Sequence, residues 1–359
     1  MSGADVTVIV PVWNRRELLE RLLRGLRAQT HAAAEVLVVD DGSQDGSAEL
    51  AECMGARTVR TRLHGGFAKA VNRGIRESRT PLVAIVNNDV ELAPDWLEKL
   101  LAGLGADLHR DARAENKRSG AESPAQAEGL PHIWFTTGRI LQSADRSRID
   151  GTYDALCRGG TSWRVGHACP DGPTFREARE IWSAPFTAAL FRGALFDKVG
   201  LLDDRFESYL EDVDFGLRCA LAGCAGRYVP DAVAWHEGSA TLGRWHPVTT
   251  RRIARNQVFV IAKHYPAGLL LRYAWPIAVA QVLWGLVALR HGKGWPWLRG
   301  KVEGLRRFAE FRDRTASGNN PTLVQILREG EREIRRVQRE SGRDLFWALY
   351  FLLTAGGAK

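Results

Sequence analysis

The sequence predicts an α/β protein with a mostly parallel sheet flanked by helices, followed by a helical C-terminal extension. The first indication is the alternation of short apolar runs with helical repeats over the first 86 residues. The second is composition, since 45% hydrophobic and 26% charged residues in a chain of 359 are typical of globular domains. These values argue against a disordered, collagen-like or polytopic membrane chain, and the length suffices for a large core.

The apolar runs have the character of strands buried on both faces of a sheet. Residues 6–10 (VTVIV), 36–39 (VLVV) and 82–86 (LVAIV) are rich in β-branched residues and lack polar alternation. Leucines at helical spacing separate the first two runs, and a second helical stretch over 68–78 precedes the third. The order β-α-β-α-β is that of a nucleotide-binding α/β start.

The middle of the chain continues this pattern after an interruption. Residues 105–131 are polar and rich in Ala, Glu, Arg and Ser, and we expect them to form an irregular surface insertion loop. Further on, residues 210–221 are expected to form a helix and residues 226–235 a strand. We therefore expect a catalytic domain over residues 1–250.

Residues 251–359 form a basic C-terminal region with 20 Lys and Arg against 8 Asp and Glu. Its uncharged runs 273–289 and 345–355 are shorter than the roughly 20 apolar residues that span a bilayer. Trp and Tyr within these runs, with basic neighbours, favour attachment to an anionic membrane surface. Burial of both runs as ordinary helices against the catalytic domain is the alternative.

The sequence also bears on compartment and on partners. The five cysteines form no CxxC pair, which argues against a disulfide framework or a zinc knuckle. No signal peptide is visible, because the strand-like run begins at once. We expect a cytoplasmic protein, peripheral on the inner face of the cell membrane. Nucleic acid is not an expected partner, since no nucleic-acid-binding module is recognisable.

Polar residues follow the first two predicted strands. Pro11 and Asn14 come after the first, and Asp40 and Asp41 after the second. In open parallel sheets ligands bind beyond the carboxyl ends of the strands, where acidic residues can bind a base or a ribose. The alternative for 41–43 (DGS) is a capped turn. Neither GxGxxG nor GxxxxGK[ST] is present, so a Rossmann dinucleotide site and a P-loop are not supported.

The third strand runs into Asn87, Asn88 and Asp89. A carboxylate at this position can bind a hard divalent cation such as Mg²⁺ or Mn²⁺, which would hold a diphosphate. Taken alone, Asp89 could equally be a turn or helix-cap residue ahead of Pro94.

The segments VTVIVPVWNR, EVLVVDDGS, HGGFAKAVNRG and VNNDV, in that order, resemble the family 2 glycosyltransferases of GT-A fold, in particular their rhamnosyltransferase-like branch. The resemblance covers roughly residues 5–265. It implies that Gly66 lies near a nucleotide-sugar donor and that Asp89 binds the metal. Asn87 departs from the pattern, because it stands where a DxD motif often has its first acidic residue.

The run 206–215 (FESYLEDVDF) continues the resemblance. It implies that Asp212 is the base that removes the acceptor proton and that Glu211 orients it or contacts the acceptor. Judged by charge alone, this acidic cluster would be the solvated first turn of a helix, where the helix dipole favours negative side chains. Asp214 is expected to be structural. The resemblance also implies that His236 contacts the metal or the diphosphate, although a lone histidine is more often structural.

The implied function is inverting, metal-dependent transfer of a hexose or deoxyhexose from a nucleotide-diphosphate donor. The acceptor would be a saccharide or a lipid-linked molecule in bacterial surface polysaccharide synthesis. One alternative is a non-catalytic nucleotide-sugar-binding protein. A nucleotidyltransferase is another, although the Gly-rich basic loop of that class is missing after the first strand.

Overall fold

A computed structural model describes residues 6–105, 132–238, 245–312 and 320–355. It confirms the predicted class, a mixed α/β fold with a central sheet flanked by helices and a helical C-terminal region. The predicted insertion loop falls almost entirely on residues 106–131, which lie outside the described residues.

The strands follow the predicted apolar runs closely in the first half of the chain. In chain order they are β1 (Val6–Val12), β2 (Glu35–Asp40), β3 (Arg57–Arg60), β4 (Leu82–Val86), β5 (Val90–Leu92), β6 (Ile133–Gln142), β7 (Ile149–Gly151), β8 (Asp154–Leu156), β9 (Ser162–Arg164), β10 (Arg179–Ile181), β11 (Ala188–Arg192) and β12 (Ala225–His236).

Ten strands form one sheet in the order β10-β12-β6-β11-β4-β1-β2-β3, with β5 on β12 and β7 on β6. The strands β3, β2, β1 and β4 are mutually parallel, whereas β11 is antiparallel to both β4 and β6. The hairpin β8–β9 is a separate two-stranded sheet. The carboxyl ends of β1, β2 and β4 therefore meet at one edge, where ligands bind in such sheets.

Helices cover both faces of the sheet and build the C-terminal region. In chain order they are α1 (Arg16–Arg27), α2 (Ser47–Cys53), α3 (Phe67–Glu77), α4 (Trp96–Leu104), α5 (Gly193–Val199), α6 (Glu211–Leu221), α7 (Pro247–His264), α8 (Ala267–Arg272), α9 (Ala274–Arg290), α10 (Gly294–Arg306), α11 (Phe308–Phe311), α12 (Pro321–Ser341) and α13 (Leu345–Thr354).

The core lies on both faces of the sheet. Helix α1 buries Leu19, Leu22, Leu23 and Leu26 against β1 and its neighbours. Burying a leucine side chain is worth about 1.5–3 kcal/mol, so this one stripe fixes the helix on the sheet. The opposite face packs against α3 and reaches the hairpin and helices α9, α12 and α13.

The C-terminal helices pack against the rest of the chain through buried polar contacts. Arg158, which follows β8, donates to Glu331 of α12 at 2.9 Å, and both side chains are buried. Tyr350 of α13 donates to the same carboxylate at 2.7 Å. Helix α7 runs through residue 250, the boundary predicted from the sequence. The described ranges contain no helix that is long and apolar enough to cross a membrane.

Candidate functional site

A cleft of about 670 Å³ opens at the carboxyl ends of β1 and β4. Residues after these strands line one side of it, and the start of α6 lines the other. Residues singled out in the sequence line this cleft, namely Pro11, Asp41, Asn88, Asp89, Glu211, Asp212 and His236. The sequence motifs, which lie far apart along the chain, thus converge on one cavity.

Asp41 organises the loop at the wall of the cleft that Trp13 and His64 also line. Its carboxylate accepts the backbone N–H groups of Gly65 and Gly66, the latter at 2.8 Å. Nδ1 of His64 lies 2.8 Å from the same carboxylate, and the imidazole stacks on Trp13 with ring centroids 4.1 Å apart. Together, Trp13 and His64 form an aromatic platform beside a buried acidic residue.

Gly66 is required where it lies. Its φ of 92° falls in a region that side chains rarely adopt, and an added Cβ would lie 3.1 Å from the carbonyl oxygen of Glu207. The glycine therefore lets the start of α3 approach the segment before α6. It stands behind the cleft wall and is not one of the residues lining the cavity.

Asn14 and Asp40 also stand behind the wall, where they hold turns. The side chain of Asn14 accepts the N–H of Gln44 at 3.0 Å, and Asp40 accepts the N–H of Ser43 at 3.0 Å. The amide of Asn88 reaches the backbone oxygen of Asn14 at 3.4 Å. These contacts fix the two strand ends against each other.

Asp89 and His236 meet inside the cleft. Oδ1 of Asp89 lies 3.2 Å from Nε2 of His236, and Nδ1 of the same ring lies 2.8 Å from Asp150. Burial alone would lower the pKa of His236, but the two carboxylates outweigh it and raise the pKa to about 10. Burial opposes ionisation of Asp150 as well, yet its bond to His236 keeps the pKa of that carboxyl below its usual value.

Asp150 accepts from Nδ1 of His236 and so fixes the ring with Nε2 facing Asp89, an arrangement common behind metal-ligating histidines. A hard divalent cation held by Asp89 and His236 would have to replace the proton that the raised pKa leaves on Nε2. The described residues contain no cluster of three or more side chains that could hold a metal ion.

Glu211 and Asp212 begin helix α6 on the opposite wall. Oδ1 of Asp212 accepts the N–H of Val213 at 2.9 Å, and its side chain is only 11% exposed. Glu211 is buried and its Oε2 makes no hydrogen bond within the described structure. Burial, reinforced by the charge of Asp212, raises the pKa of Glu211 well above its usual value.

The turn that presents these two residues is strained. Glu207, Tyr209 and Leu210 all have positive φ, which is uncommon for residues other than glycine. The side-chain amide of Asn256 in α7 donates to the carbonyl oxygens of Phe206, Ser208 and Tyr209 at 2.7–3.0 Å. Such conformations persist only where the surroundings enforce them, and α7 does so here.

The sequence did not single out three charged residues of the site, Asp150, Asp154 and Arg164. Nη2 of Arg164 lies 3.3 Å from Oδ2 of Asp212, and its Nε lies 4.0 Å from Asp154. Burial and the nearby Asp212 raise the pKa of Asp154 to about 7. The acidic residues at 150 and 154 were the available sequence signal for this part of the site. Strands of three residues are too short to show a periodicity, so the sequence could not indicate which way these side chains face.

Asp214 lies outside the cleft, as its expected structural role requires. It is fully buried and bonds to His264 at 2.8 Å, to Lys263 at 2.9 Å and to Arg218 at 3.2 Å. These contacts fasten α6 to α7. The remainder of the cleft comes from the C-terminal region, through Thr249, Arg252, Ile253 and Gln257 of α7 and Trp284 of α9.

Sequence comparison finds a match between residues 7–139 and the family model described as glycosyl transferase family 2. The chain is 30% identical over 263 residues to an N-acetylglucosaminyl-diphospho-decaprenol L-rhamnosyltransferase of Mycobacterium tuberculosis, covering 67% of this chain and 78% of that protein. It is 29% identical to a pre-mycofactocin glycosyltransferase of the same species, covering 68% of this chain but only 45% of the relative.

Structural comparison agrees on the fold. The crystal structure of GalNAc-T7 with UDP, GalNAc and Mn²⁺ superposes with a TM-score of 0.56. The match covers 99% of this chain and 57% of that chain, at 13% identity. The predicted GT-A glycosyltransferase fold is thereby confirmed.

Proposed function

Since the chain belongs to glycosyl transferase family 2, we propose that it moves a hexosyl or deoxyhexosyl group from a nucleotide-diphosphate donor, with inversion. The acceptor is a saccharide or a lipid-linked molecule of bacterial surface polysaccharide synthesis. The observation that carries this proposal is that Asp212, Asp89 and His236 line one and the same cleft. A sugar bound in this cleft would have a base and a diphosphate site within reach of one cavity.

The transfer is a single displacement at the anomeric carbon of the donor. The acceptor hydroxyl gives its proton to Asp212 as its oxygen bonds to the anomeric carbon. The bond from that carbon to the diphosphate breaks, and the nucleoside diphosphate leaves with the electron pair. Glu211 touches the acceptor and donates a hydrogen bond from its carboxyl when protonated, consistent with its raised pKa.

The donor's base lies against Trp13, with Asp41 behind it, and its diphosphate lies near Asn88 and Asp89. Trp13 supplies a flat aromatic surface at the cleft wall, and Asp41 fixes the adjacent loop. A divalent cation held by Asp89 and His236 would neutralise charge on the leaving diphosphate. Mn²⁺ accompanies UDP in the structurally similar GalNAc-T7, which supports a nucleotide sugar and a metal together.

The acceptor enters from the side of the cleft built by the C-terminal helices. Trp284 of α9 lines the cleft, and Trp245 lies 6.5 Å from it while stacking on His291. Helix α9 carries no charged residue before Arg290. An acceptor with a lipid portion would leave the cleft along this apolar helix.

The outer surface of the same region supports membrane attachment. Exposed apolar side chains recur on α8, α9, α10 and α13. We call these side chains together the apolar face: Leu271, Trp275, Val282, Leu286, Leu289, Trp295, Leu298, Val302, Leu305, Leu345, Leu352 and Leu353. Nε1 of Trp275 donates to the carbonyl oxygen of Leu353, so α9 and α13 lie side by side within it.

Basic residues accompany the apolar face. A groove between α12 and α13 is lined by Arg335, Arg339 and Arg343 together with Trp347 and Phe351. Arg335 stacks on Phe351 at 3.9 Å. Aromatic and apolar side chains beside arginines match the interface of a bilayer with anionic headgroups. We place the enzyme at the cytoplasmic face of the membrane, lying on it through these helices.

The function is tested by incubating the full chain with a panel of dTDP-, UDP- and GDP-linked sugars, a lipid-diphosphate saccharide acceptor, and Mn²⁺ or Mg²⁺. We expect one donor to give a product whose new linkage has the opposite anomeric configuration. Donor binding without transfer or hydrolysis would favour the non-catalytic alternative. Retained configuration in the product would contradict the single displacement.

A further inference from the structure

Arg164 occupies a central position among the charged groups of the site. Its guanidinium lies 3.3 Å from Asp212, 3.9 Å from Asp150 and 4.0 Å from Asp154. Nη1 also donates to Oγ1 of Thr187 at 3.2 Å. One side chain thus connects the wall that carries Asp212 with the carboxylate that holds His236.

We propose that Arg164 is a positioning residue for Asp212, which it holds in the orientation required of the base. The inference rests on the proposed function, because it assigns Arg164 a role through the base. Oδ1 of Asp212 is held by the N–H of Val213, and Oδ2 faces Arg164. With both oxygens held, the carboxylate has a fixed plane and still has lone pairs directed into the cleft.

The hairpin that carries Arg164 is held firmly at its other end. Arg158 in its turn is clamped by Glu331, and the N–H of Gly159 donates to the hydroxyl of Tyr350 at 3.1 Å. A Cβ on Gly330 of α12 would lie 2.3 Å from the carbonyl oxygen of Leu156, so helix and hairpin are in direct backbone contact. Arg164 therefore stands on a rigid support.

The neighbouring strand leaves room for the arginine. A Cβ on Gly151 of β7 would lie 2.2 Å from Cδ and 2.4 Å from Cγ of Arg164. Any side chain at position 151, even that of alanine, would displace the side chain of Arg164 from this place. The glycine and the arginine are thus matched, which a packing role for Arg164 at the surface would not require.

Three ionisable side chains besides Arg164 lie near Asp212. Glu211 on the same helix and Asp154 on β8 are buried beside it, and the charge of Asp212 adds to the burial that raises the pKa of both groups, while Arg252 on α7 faces Glu211. Arg164 on β9 is in contact with the Asp212 carboxylate. This charge-assisted contact fixes Oδ2, so its loss would leave the carboxylate free to rotate.

The test compares Arg164→Met, Arg164→Lys and Gly151→Ala in the full chain, with Arg176→Gln as control. Arg176 is 56% exposed and pairs with Asp171 away from Asp212. We expect Arg164→Met to lower kcat by about 10²-fold while donor affinity changes little. Arg164→Lys should recover part of kcat, because its ammonium can still donate to Oδ2 of Asp212, and Gly151→Ala should resemble Arg164→Met more weakly.

Methionine keeps the length of the arginine stem but cannot hold a carboxylate, so it separates packing from positioning. A kcat of Arg164→Met near that of the unaltered enzyme would overturn the proposal and leave Arg164 a packing role. Loss of donor affinity in parallel with kcat would overturn it in favour of direct donor binding.

Asp212→Asn, measured alongside, distinguishes a failure of the proposed mechanism from a failure of the positioning role alone. If Asp212→Asn retains turnover, the base assignment fails and with it the proposed mechanism. If Asp212→Asn is inactive and Arg164→Met keeps the kcat of the unaltered enzyme, the positioning role alone fails.

Discussion

Nε2 of His236 and Oδ1 of Asp89 lie 3.2 Å apart although 147 positions separate the two residues in the chain. The pairing of β5 with β12 brings them together, since Val90 is opposite His236 in that ladder. The sheet therefore joins the end of its parallel half to the last strand. This contact brings together the carboxylate and the imidazole that we propose to lie beside the donor diphosphate.

Asp89→Ala and His236→Ala should each weaken donor binding in the presence of Mn²⁺. Because both side chains are proposed to hold the same cation, the double variant should lose less than the sum of the two single effects. Isothermal titration with the nucleoside diphosphate, with and without EDTA, measures this. His31→Ala is a useful control, since His31 is a histidine that does not line the cleft. Donor affinity insensitive to EDTA in the unaltered enzyme would refute the metal.

Asp212→Asn should abolish transfer while leaving donor binding intact. The amide keeps the shape of the side chain but cannot accept the acceptor proton, and removal of a general base costs about 10²–10⁴ in rate. Turnover is compared with that of Asp231→Asn, an exposed aspartate of β12 outside the cleft. Turnover near that of the unaltered enzyme would exclude Asp212 as the base.

Asp214→Asn should destabilise the protein without a specific effect on catalysis. Breaking a buried ion pair by removing one partner costs about 3–5 kcal/mol, and here His264, Lys263 and Arg218 would lose theirs. Urea unfolding at pH 7 measures the loss. The fraction that remains folded should keep its turnover, because Asp214 lies outside the cleft. A variant of normal stability without activity would assign Asp214 to the site instead.

The same cluster makes stability depend on acid. Burial opposes ionisation of Asp203 and Asp214, but Arg205 and Lys263 lower the pKa of Asp203 to about 2, and His264 with Lys263 lowers that of Asp214. A lowered folded-state pKa contributes stability that is present above the unfolded value near 4 and lost as pH falls towards 2. Unfolding midpoints between pH 6 and pH 3 should therefore fall, and less steeply in Asp214→Asn.

The sequence predicted those parts of the site that lie at strand ends or helix starts. The ends of β1, β2 and β4 and the start of α6 were recognisable, because buried strands and an acidic helix start leave patterns along the chain. Asp150, Asp154 and Arg164 were not, since they lie on short strands whose position depends on the C-terminal helices packed behind them. Trp284 was missed as a cleft residue for a similar reason, because its uncharged helix gives no periodic signal to orient it.

The apolar face includes exposed side chains along α9. Val282 and Leu286 are 58% and 56% exposed and lie one helical turn apart on α9. Groups of large exposed apolar side chains mark interaction sites on soluble proteins, so we expect a covering partner for this face. Its arginine-lined groove favours an anionic bilayer over a second copy of this strongly basic chain, since two copies would repel each other.

Val282→Asp combined with Leu286→Asp should therefore reduce binding to vesicles that contain phosphatidylglycerol. Burying each side chain is worth about 1.5–3 kcal/mol, so each substitution should cost at least about tenfold in partitioning. Leu63→Asp is the matched control, because Leu63 is 82% exposed but lies in the loop near the donor side. Vesicle flotation measures partitioning, and sedimentation of the unaltered enzyme checks for dimers. If the double variant binds vesicles as well as Leu63→Asp, or if a stable dimer covers the face, attachment through α9 is refuted. High salt should weaken binding without abolishing it, because the arginines contribute about 1 kcal/mol each and the apolar contact is insensitive to screening.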